Sequence, residues 1–166
     1  MHVPSRLRLV VHCGKHTAEE AEIFIGRIKA CSDGAAPLFT SDQLTCYRDL
    51  LLEHYSTLEP VPRRFPRGRP PGPQRVPLPG LLYAQVDKQR RQGRVVRVVK
   101  RIVIGNETAI RQVLEADGWG TTINTAYVER ANGTVRHKNR RLTRKTYGFS
   151  KKTDLHRAQL AVETFH

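Results

Sequence analysis

Apolar and polar positions in the first third of the chain predict alternating strands and helices. The branched run RLRLVVH, from Arg6 to His12, has the partial alternation of a strand. Thr17 to Cys31 has apolar residues at helical spacing behind a capping-box threonine. Pro37 to Ser41 predicts a short buried strand, and the apolar spacing after Asp42 predicts a second helix. The order strand, helix, strand, helix is typical of an α/β sheet.

Proline then interrupts the pattern, because eight of the ten prolines lie between Pro60 and Pro79. Such a segment cannot form a helix or a central strand, so we expect an extended, basic, mobile linker. Two β-type runs, LLYAQVD and RVVRVVKRIVI, follow on either side of KQRRQG and predict a hairpin with a basic turn. Glu107 to Ala116 predicts a short helix that stops before Gly118.

The stretch from Ile123 to Lys145, INTAYVERANGTVRHKNRRLTRK, supports two interpretations. As a helix it has an apolar stripe, made of Val128, Ala131, Val135 and Leu142. It then also has a polar stripe, made of Glu129, Asn132, Arg136 and Arg140. As a hairpin it uses Asn132 and Gly133 as a two-residue turn between TAYVER and TVRHK. Periodicity leaves both interpretations open.

The positive charge is concentrated in two segments of the chain. The net charge of the 166 residues is +14 at pH 7. Pro60 to Arg101 carries +11 and Tyr127 to Arg157 carries +8, so the remainder is negative. This distribution is typical of a protein with a polyanionic partner, above all nucleic acid, and the alternative is a solvated charged face. Aromatic residues do not interleave with the basic runs, which disfavours an RNA-binding protein that stacks bases.

The cysteines and the lengths of the apolar runs indicate the cellular compartment of the chain. Cys13, Cys31 and Cys46 are odd in number and form no CxxC pair, which fits unpaired thiols in a reducing cytosol. No apolar run approaches the length of a membrane span, and the N-terminus lacks a signal-peptide core. We therefore expect a soluble cytoplasmic chain without a membrane partner.

Two carboxylates are candidates for chemistry. Asp42 ends a predicted strand, where open α/β sheets bind their ligands, but spacing alone favours a cap for the following helix. Glu129 is the one acid among seven Arg and Lys residues, and no basic residue lies three or four positions away. On a DNA-binding chain, such acids are typical of a site that holds two Mg²⁺ ions about 4 Å apart at a phosphodiester.

Two blocks of the sequence together resemble a known family. FTSDQLTCYRDLL and INTAYVERANGTVRHKNRRLTRKTYGFSKKTDLH resemble the C-terminal catalytic part of InsB-like transposases of the insertion-sequence-one family. The second block is the specific one, since ER, N, R, R, L, RKT, FSK and LH follow in the family's order over about thirty residues. The run LYAQVDKQRRQGRVV resembles a branch of the family with an insertion between the last two acids.

The resemblance implies an α/β fold of the RNase H-like, retroviral integrase type. Its mixed sheet with flanking helices would be incomplete at the N-terminal strands and would contain an inserted Pro-rich linker and β-hairpin. The implied division of the chain is residues 1–59 (first part of the catalytic domain), 60–80 (Pro/Arg-rich linker), 81–120 (inserted hairpin and short helix) and 121–166 (Glu-bearing helix and C-terminal helix).

The resemblance also implies site residues. Asp42 corresponds to the second and Glu129 to the third acid of an Asp-Asp-Glu triad, so both are expected to be catalytic and to bind Mg²⁺ or Mn²⁺. The family's arrangement favours the helix over the hairpin around Glu129. The residues implied to contact DNA are Arg130, Asn132, Arg136, Arg140, Arg144, Lys145 and Lys151.

The implied function is a transposase of the Asp-Asp-Glu type, which moves bacterial DNA by metal-dependent phosphodiester cleavage and strand transfer. Its partners would be the element ends and target DNA, at the nucleoid. No acid precedes Glu19, so the first triad aspartate is expected to be missing, and we expect a truncated, weakly active or inactive transposase. The alternative is a non-enzymatic DNA-binding regulator, or a dominant-negative subunit that joins a second copy or a full-length transposase.

Overall fold

Helices and strands alternate along the chain. A computed structural model describes every residue except 3, 4, 6, 64–66, 70, 119, 121, 144 and 166. In chain order the elements are α1 (Ala18–Ala30), β1 (Leu38–Ser41), α2 (Tyr47–His54), β2 (Ser56–Glu59), β3 (Gln74–Pro77), β4 (Leu82–Arg91), β5 (Arg94–Ile104), α3 (Glu107–Ala116), α4 (Ala126–Lys138), a 3₁₀ helix (Arg140–Leu142) and α5 (Thr153–Phe165). None of the described helices has both the length and the apolar character that crossing a membrane requires.

Three strands form a mixed sheet in the order β1-β4-β5. β1 and β4 are parallel, with Leu38 opposite Leu82 and Ser41 opposite Gln85. β4 and β5 form an antiparallel hairpin. β2 and β3 form a separate two-stranded antiparallel sheet. The predicted hairpin is therefore confirmed, and its first strand is the central strand of the main sheet. The predicted basic turn is wrong for Lys88–Arg91, because these residues continue β4 and pair with β5.

The helices cover both faces of this sheet, because successive residues of β4 point to opposite sides. On one face Tyr83 packs in a cluster with residues of α1 and α2, including Leu51 and Tyr55. On the other face Leu82 and Ala84 pack against Ile110 of α3. Ile110 is only 2% exposed, and burying a side chain of this size contributes about 2 kcal/mol. The fold is thus a mixed α/β fold with flanking helices.

The helices that the sequence predicts are confirmed. α3 has the predicted bounds, and its Asn106 cap accepts the Ala109 N–H at 2.8 Å. The ambiguous stretch forms the helix α4 and not a hairpin. α4 ends at Lys138, so Arg140 does not continue its polar stripe. Leu142 of the 3₁₀ helix is buried, as is Val135 of α4.

The strand predicted from Arg6 to His12 is wrong for the residues that the structure describes. Leu7 forms only an isolated bridge with His2, and residues 8–15 belong to no helix or strand. The segment contacts the C-terminal helices instead, since an Arg8 guanidinium donates to the Ala131 carbonyl at 2.8 Å. Branched residues favour a strand only where a neighbouring strand supplies hydrogen-bond partners.

The linker predicted for residues 60–80 contains a strand. β3 pairs with β2, with Ser56 opposite Pro77 and Glu59 opposite Gln74. A proline is tolerated in such a strand because it occupies an edge, where its missing N–H costs no ladder hydrogen bond. The prediction that this linker contains no strand is therefore wrong for Gln74–Pro77.

Candidate nucleic-acid interface and carboxylate site

Glu129 lies in the first turn of α4, where the helix dipole favours a negative charge. Its Oε1 accepts hydrogen bonds from the Lys88 ammonium of β4 and from the Thr125 hydroxyl, the latter at 2.7 Å. The Lys88 hydrogen bond first, and the Thr125 hydroxyl second, hold the pKa of Glu129 below its ordinary value. The side chain is 55% exposed, so the carboxylate is ionised at neutral pH and reachable from solvent.

The partner of Glu129 explains why an acid sits in a basic stretch. Lys88 lies 41 residues away in sequence, so helical spacing does not reveal it. Lys88 and Arg90 are two positions apart on β4 and share a face, and the Arg90 charge also lowers the pKa of Glu129. Glu129 therefore fixes α4 to the basic hairpin. Thr125, which caps α4 without bonding a backbone N–H, donates to Glu129 instead.

Asp42 follows β1 at the carboxyl end of the parallel pair β1 and β4. Its side chain is exposed, and its backbone carbonyl accepts the Leu44 N–H at 2.9 Å and the Ser41 hydroxyl at 2.7 Å. α2 begins at Tyr47 with Cys46 as its cap. The alternative that Asp42 caps this helix is therefore wrong.

Asp42 and Glu129 lie at the same end of the sheet. Ser41, which precedes Asp42, is opposite Gln85, and the Glu129 partner Lys88 is three residues further along β4. Their surroundings differ, however. Burial first, and then the Asp42 carboxylate, raise the pKa of Tyr47, so Asp42 is close to α2 on one face of the sheet. Glu129 contacts Lys88, which belongs to the opposite face.

These two acids do not form an assembled metal centre. The Oε1 atom of Glu129 is already bonded to the Lys88 ammonium and the Thr125 hydroxyl. Among the described residues, no three His, Cys, Asp or Glu side chains are grouped so that they could hold a metal ion. The donor atoms, as folded, do not fit the two-ion centre that the resemblance implies.

A basic pocket of about 500 Å³ lies between the 3₁₀ helix and the start of α5. Its lining residues are Arg140, Arg141, Gly148, Phe149, Ser150, Lys151, Lys152 and Leu155. The four cations are exposed. The pocket is open to solvent, so a large ligand can reach all four charges.

Local hydrogen bonds give the basic pocket its shape. The Arg141 N–H donates to the Asn139 side chain at 3.0 Å, and the Arg141 carbonyl accepts the Ser150 N–H at 2.9 Å. Gly148 passes close to Arg140, since a Cβ there would lie 3.4 Å from the Arg140 carbonyl oxygen. Lys151 and Lys152 are the two residues before α5, whose first turn has free N–H groups that add positive potential.

The predicted DNA-binding residues divide between several places. Arg140 and Lys151 line the basic pocket. Asn132 and Arg136 are exposed on the face of α4 that carries Glu129, as predicted. The remaining three are Arg130, beside a second pocket of about 210 Å³, Lys145, exposed with φ 60°, and Arg144, which lies outside the described residues.

Sequence reasoning missed three residues of these sites. Arg141 and Lys152 line the basic pocket beside their predicted neighbours, and the doublets Arg-Arg and Lys-Lys are a signal that could have included them. Lys88 was missed because the face of β4 that meets α4 depends on tertiary packing. The basic sequence of β4 indicates only that some lysine or arginine could pair with an acid, and it does not indicate which one.

Comparison of the chain with family models, with curated proteins and with solved structures gives no match. The charge distribution and the contacts described above therefore carry the functional assignment.

Proposed function

We propose that this chain is a double-stranded-DNA-binding protein of the InsB-like transposase type, in which the basic pocket holds the phosphate backbone. One observation carries the proposal: the residues that line the pocket include four cations and no acid. Arg140 and Arg141 offer planar guanidinium groups, which bind phosphate oxygens in pairs. Lys151 and Lys152 add point charges beside them. A DNA partner would place the protein at the bacterial nucleoid.

Duplex DNA fits this pocket better than a small anion does. The pocket is wide and open, so it offers little enclosure to a free phosphate, whereas successive phosphates of one strand can contact successive cations. Each bound phosphate releases condensed counterions, which makes affinity fall with salt. The apolar side chains of Phe149 and Leu155, also in the lining, can pack against sugars without selecting a base sequence.

The proposal includes an RNase H-like arrangement of the sheet. It is supported by the parallel strands β1 and β4, by the helices on both sheet faces and by a helix bearing Glu129 at the carboxyl end of these strands. β1 lies at an edge of the sheet, and such an edge can accept a further strand. A second copy or a full-length transposase is the protein partner that we propose for this edge.

DNA binding is tested by fluorescence anisotropy of a labelled duplex over a series of salt concentrations. We expect R140Q/R141Q/K151Q/K152Q to lower the slope of log affinity against log salt by about 0.9 for each phosphate that the variant no longer binds. The matched control R27Q/R63Q/R67Q/R69Q removes the same charge from exposed positions elsewhere. If the salt slope falls equally in both variants, the affinity depends on net charge alone, and the pocket is not the DNA-binding site. Failure of the unmodified chain to bind any duplex would reject the function.

Metal-dependent phosphodiester cleavage and strand transfer is the second candidate function. The observation that favours it is the position of Asp42 and Glu129 at the same end of the sheet. Glu129 can offer both carboxylate oxygens to Mg²⁺ or Mn²⁺ only after the Lys88 ammonium has left. We therefore expect the folded chain to bind DNA without cleaving it.

Nicking of supercoiled DNA in the presence of Mg²⁺ or Mn²⁺ tests this second candidate. The chain is assayed beside D42A/E129A and beside K88M, which removes the ammonium from Glu129. Nicking by the unmodified chain or by K88M that D42A/E129A lacks would establish cleavage by these two acids. Nicking by none of the three, with DNA binding intact, would reject cleavage and leave DNA binding as the function.

A further inference from the structure

The far part of the β4–β5 hairpin projects beyond the three-stranded sheet. β1 pairs with β4 only from Leu82 to Gln85, whereas β4 and β5 stay paired as far as Arg91 and Arg94. A two-residue turn at 92–93, with φ of 50° and 80°, closes the hairpin. Beyond the sheet the chain is therefore a two-stranded ribbon.

Four arginines share one face of the hairpin, three of them on the ribbon and the fourth, Arg101, at the point where the ribbon joins the sheet. Opposite residues of an antiparallel pair lie on the same face, and the register places Arg91 opposite Arg94, Gln89 opposite Arg97 and Gln85 opposite Arg101. A bulge between positions 89 and 90 adds one residue to β5, so residues 94 and 97 both point to this side. We call it the arginine face: Arg91, Arg94, Arg97 and Arg101.

The charge of the arginine face is not used within the molecule. All four residues are exposed, and none of their guanidinium groups forms an ion pair or hydrogen bond with another described residue. Asp87, opposite Val99, is the one acid on this side of the hairpin, and it is only partly exposed. On the other side Lys88 is bonded to Glu129, and Arg90 lies close enough to lower the pKa of Glu129. Lys100 is the remaining cation of that side, so most of the unpaired positive charge of the hairpin lies on the arginine face.

We propose that the arginine face enters the major groove of duplex DNA and forms a second contact, separate from the basic pocket. This inference rests on the proposed DNA-binding function. The major groove is about 12 Å wide and admits a two-stranded β-ribbon. Arginine binds phosphate oxygens and the major-groove edge of guanine with paired hydrogen bonds.

The dimensions of the ribbon fit a groove. Arg94 and Arg101 are seven positions apart on β5, but the bulge adds one of these, so their partners Arg91 and Gln85 are six positions apart on β4. Six residues correspond to roughly 20 Å at the rise of an antiparallel strand. That length covers about six base pairs of duplex DNA at 3.4 Å each. Duplex RNA does not offer the same site, because its major groove is too deep and narrow for side chains to read.

The matched variants R97Q and K100Q test the inference. Both residues are exposed on β5, but residue 100 is opposite Val86, on the other face of the hairpin, together with Lys88 and Arg90. We expect R97Q to lower the salt slope of duplex DNA binding by about 0.9, the value for a single phosphate, and K100Q to change it much less. Protection of guanine N7 from methylation by the unmodified chain supplies a readout that does not depend on the folding of a variant.

The outcomes separate this inference from the proposed function. Equal effects of R97Q and K100Q, or guanine N7 atoms that stay open to methylation, would overturn the placement in the groove while DNA binding through the basic pocket still stood. Competition by duplex RNA as strong as that by duplex DNA would also overturn it. Absence of DNA binding by the unmodified chain would reject both proposals together.

Discussion

At Glu129 a single carboxylate connects the start of α4 to β4. Lys88 of β4 and Thr125 at the cap of α4 both donate to its Oε1. The side chain is more than half exposed, so the ion pair belongs to the surface class, which contributes about 0.5 kcal/mol. Its main effect is to hold α4 beside the hairpin. Because Oε1 already accepts two hydrogen bonds, this carboxylate binds a metal ion less readily than a free one would.

Glu129→Gln should destabilise the fold by about 0.5 kcal/mol at neutral pH. The pKa of Glu129 is lowered below 4.5 in the folded chain, so ionisation favours folding. The stability that this ionisation contributes is present above the pKa of Glu129 in the unfolded chain. It is lost as the pH falls through the pKa of Glu129 in the folded chain. The difference between the variant and the unmodified chain should therefore shrink below pH 4.5. Urea unfolding of both proteins at neutral and at acidic pH measures this difference in the free energy of unfolding.

E115Q serves as the control for this titration. Glu115 is an exposed glutamate of α3 whose side chain forms no ion pair with a described residue. An unfolding difference between E129Q and the unmodified chain that E115Q reproduces would contradict a role for Lys88. So would a difference that stays constant as the pH falls.

Residue types alone identify part of the site. Asp42 and Glu129 are recognisable as acids in unusual positions, and Arg140 and Lys151 as members of basic runs. Their partners are not recognisable in this way, because Lys88 meets Glu129 through the packing of α4 against the hairpin. Whether two acids face each other or opposite sides of a sheet depends on such packing and not on spacing.

At the scale of elements, α4 shows how tertiary contacts choose between two local patterns. Asn132-Gly133 is a strong hairpin turn signal, and a mid-helix glycine weakens a helix. The helix nevertheless forms, because it buries Val135 and lets Arg8 bond the Ala131 carbonyl. Val135 belongs to the apolar stripe that the periodicity predicts, whereas the contact with Arg8, 123 residues away in sequence, is not visible there.

Gly133→Ala should stabilise the protein by about 0.5–1 kcal/mol. A Cβ at Gly133 meets no atom within 4 Å, so only the backbone entropy changes. Gly105→Ala is the opposite case, since Gly105 has φ 91° and its Cβ would collide with the Leu82 side chain. We expect that variant to be destabilised. Thermal unfolding of both variants checks the pair, and a decrease in stability in Gly133→Ala would contradict the helix at this position.

Asn106→Ala should cost about 1 kcal/mol, because Asn106 caps α3 through a 2.8 Å hydrogen bond to the Ala109 N–H. Asn106→Asp keeps an acceptor oxygen and should retain most of the stability. Asn132→Ala, at an exposed position inside α4, replaces a poor helix former by a good one and should be neutral or stabilising. Urea unfolding of the three variants separates removal of the cap from a general effect of removing asparagine.

The elements that the sequence predicts best are those with their own boundary signals. Thr17 marks the start of the first helix and is observed as its cap, and the helix α3 stops before Gly118 as predicted. Two predictions were wrong, namely the strand from Arg6 to His12 and the linker without a strand. Both were wrong because strand formation depends on a partner elsewhere in the chain. β3 exists because β2 lies beside it, and residues 8–15 lack strand structure because they contact helices.

At the scale of the whole molecule, each basic segment of the sequence supplies one cluster of unpaired charge. The first segment forms the arginine face, and the second forms the basic pocket. The net charge of +14 favours approach to any polyanion. If the proposed DNA contacts form, the affinity for DNA depends on where positive charge is removed and not only on how much.

A variant that removes both clusters tests whether they act on one duplex. When two sites bind the same molecule, the second site binds at a high effective concentration, so removal of either cluster alone leaves measurable binding. We expect the combined variant, R140Q/R141Q/K151Q/K152Q with R91Q/R94Q/R97Q/R101Q, to lower the salt slope by the sum of the two separate effects. A combined variant no weaker than the pocket variant alone would mean that the arginine face does not touch DNA. A duplex too short to span both clusters can bind only one of them at a time, so the two effects should then no longer add.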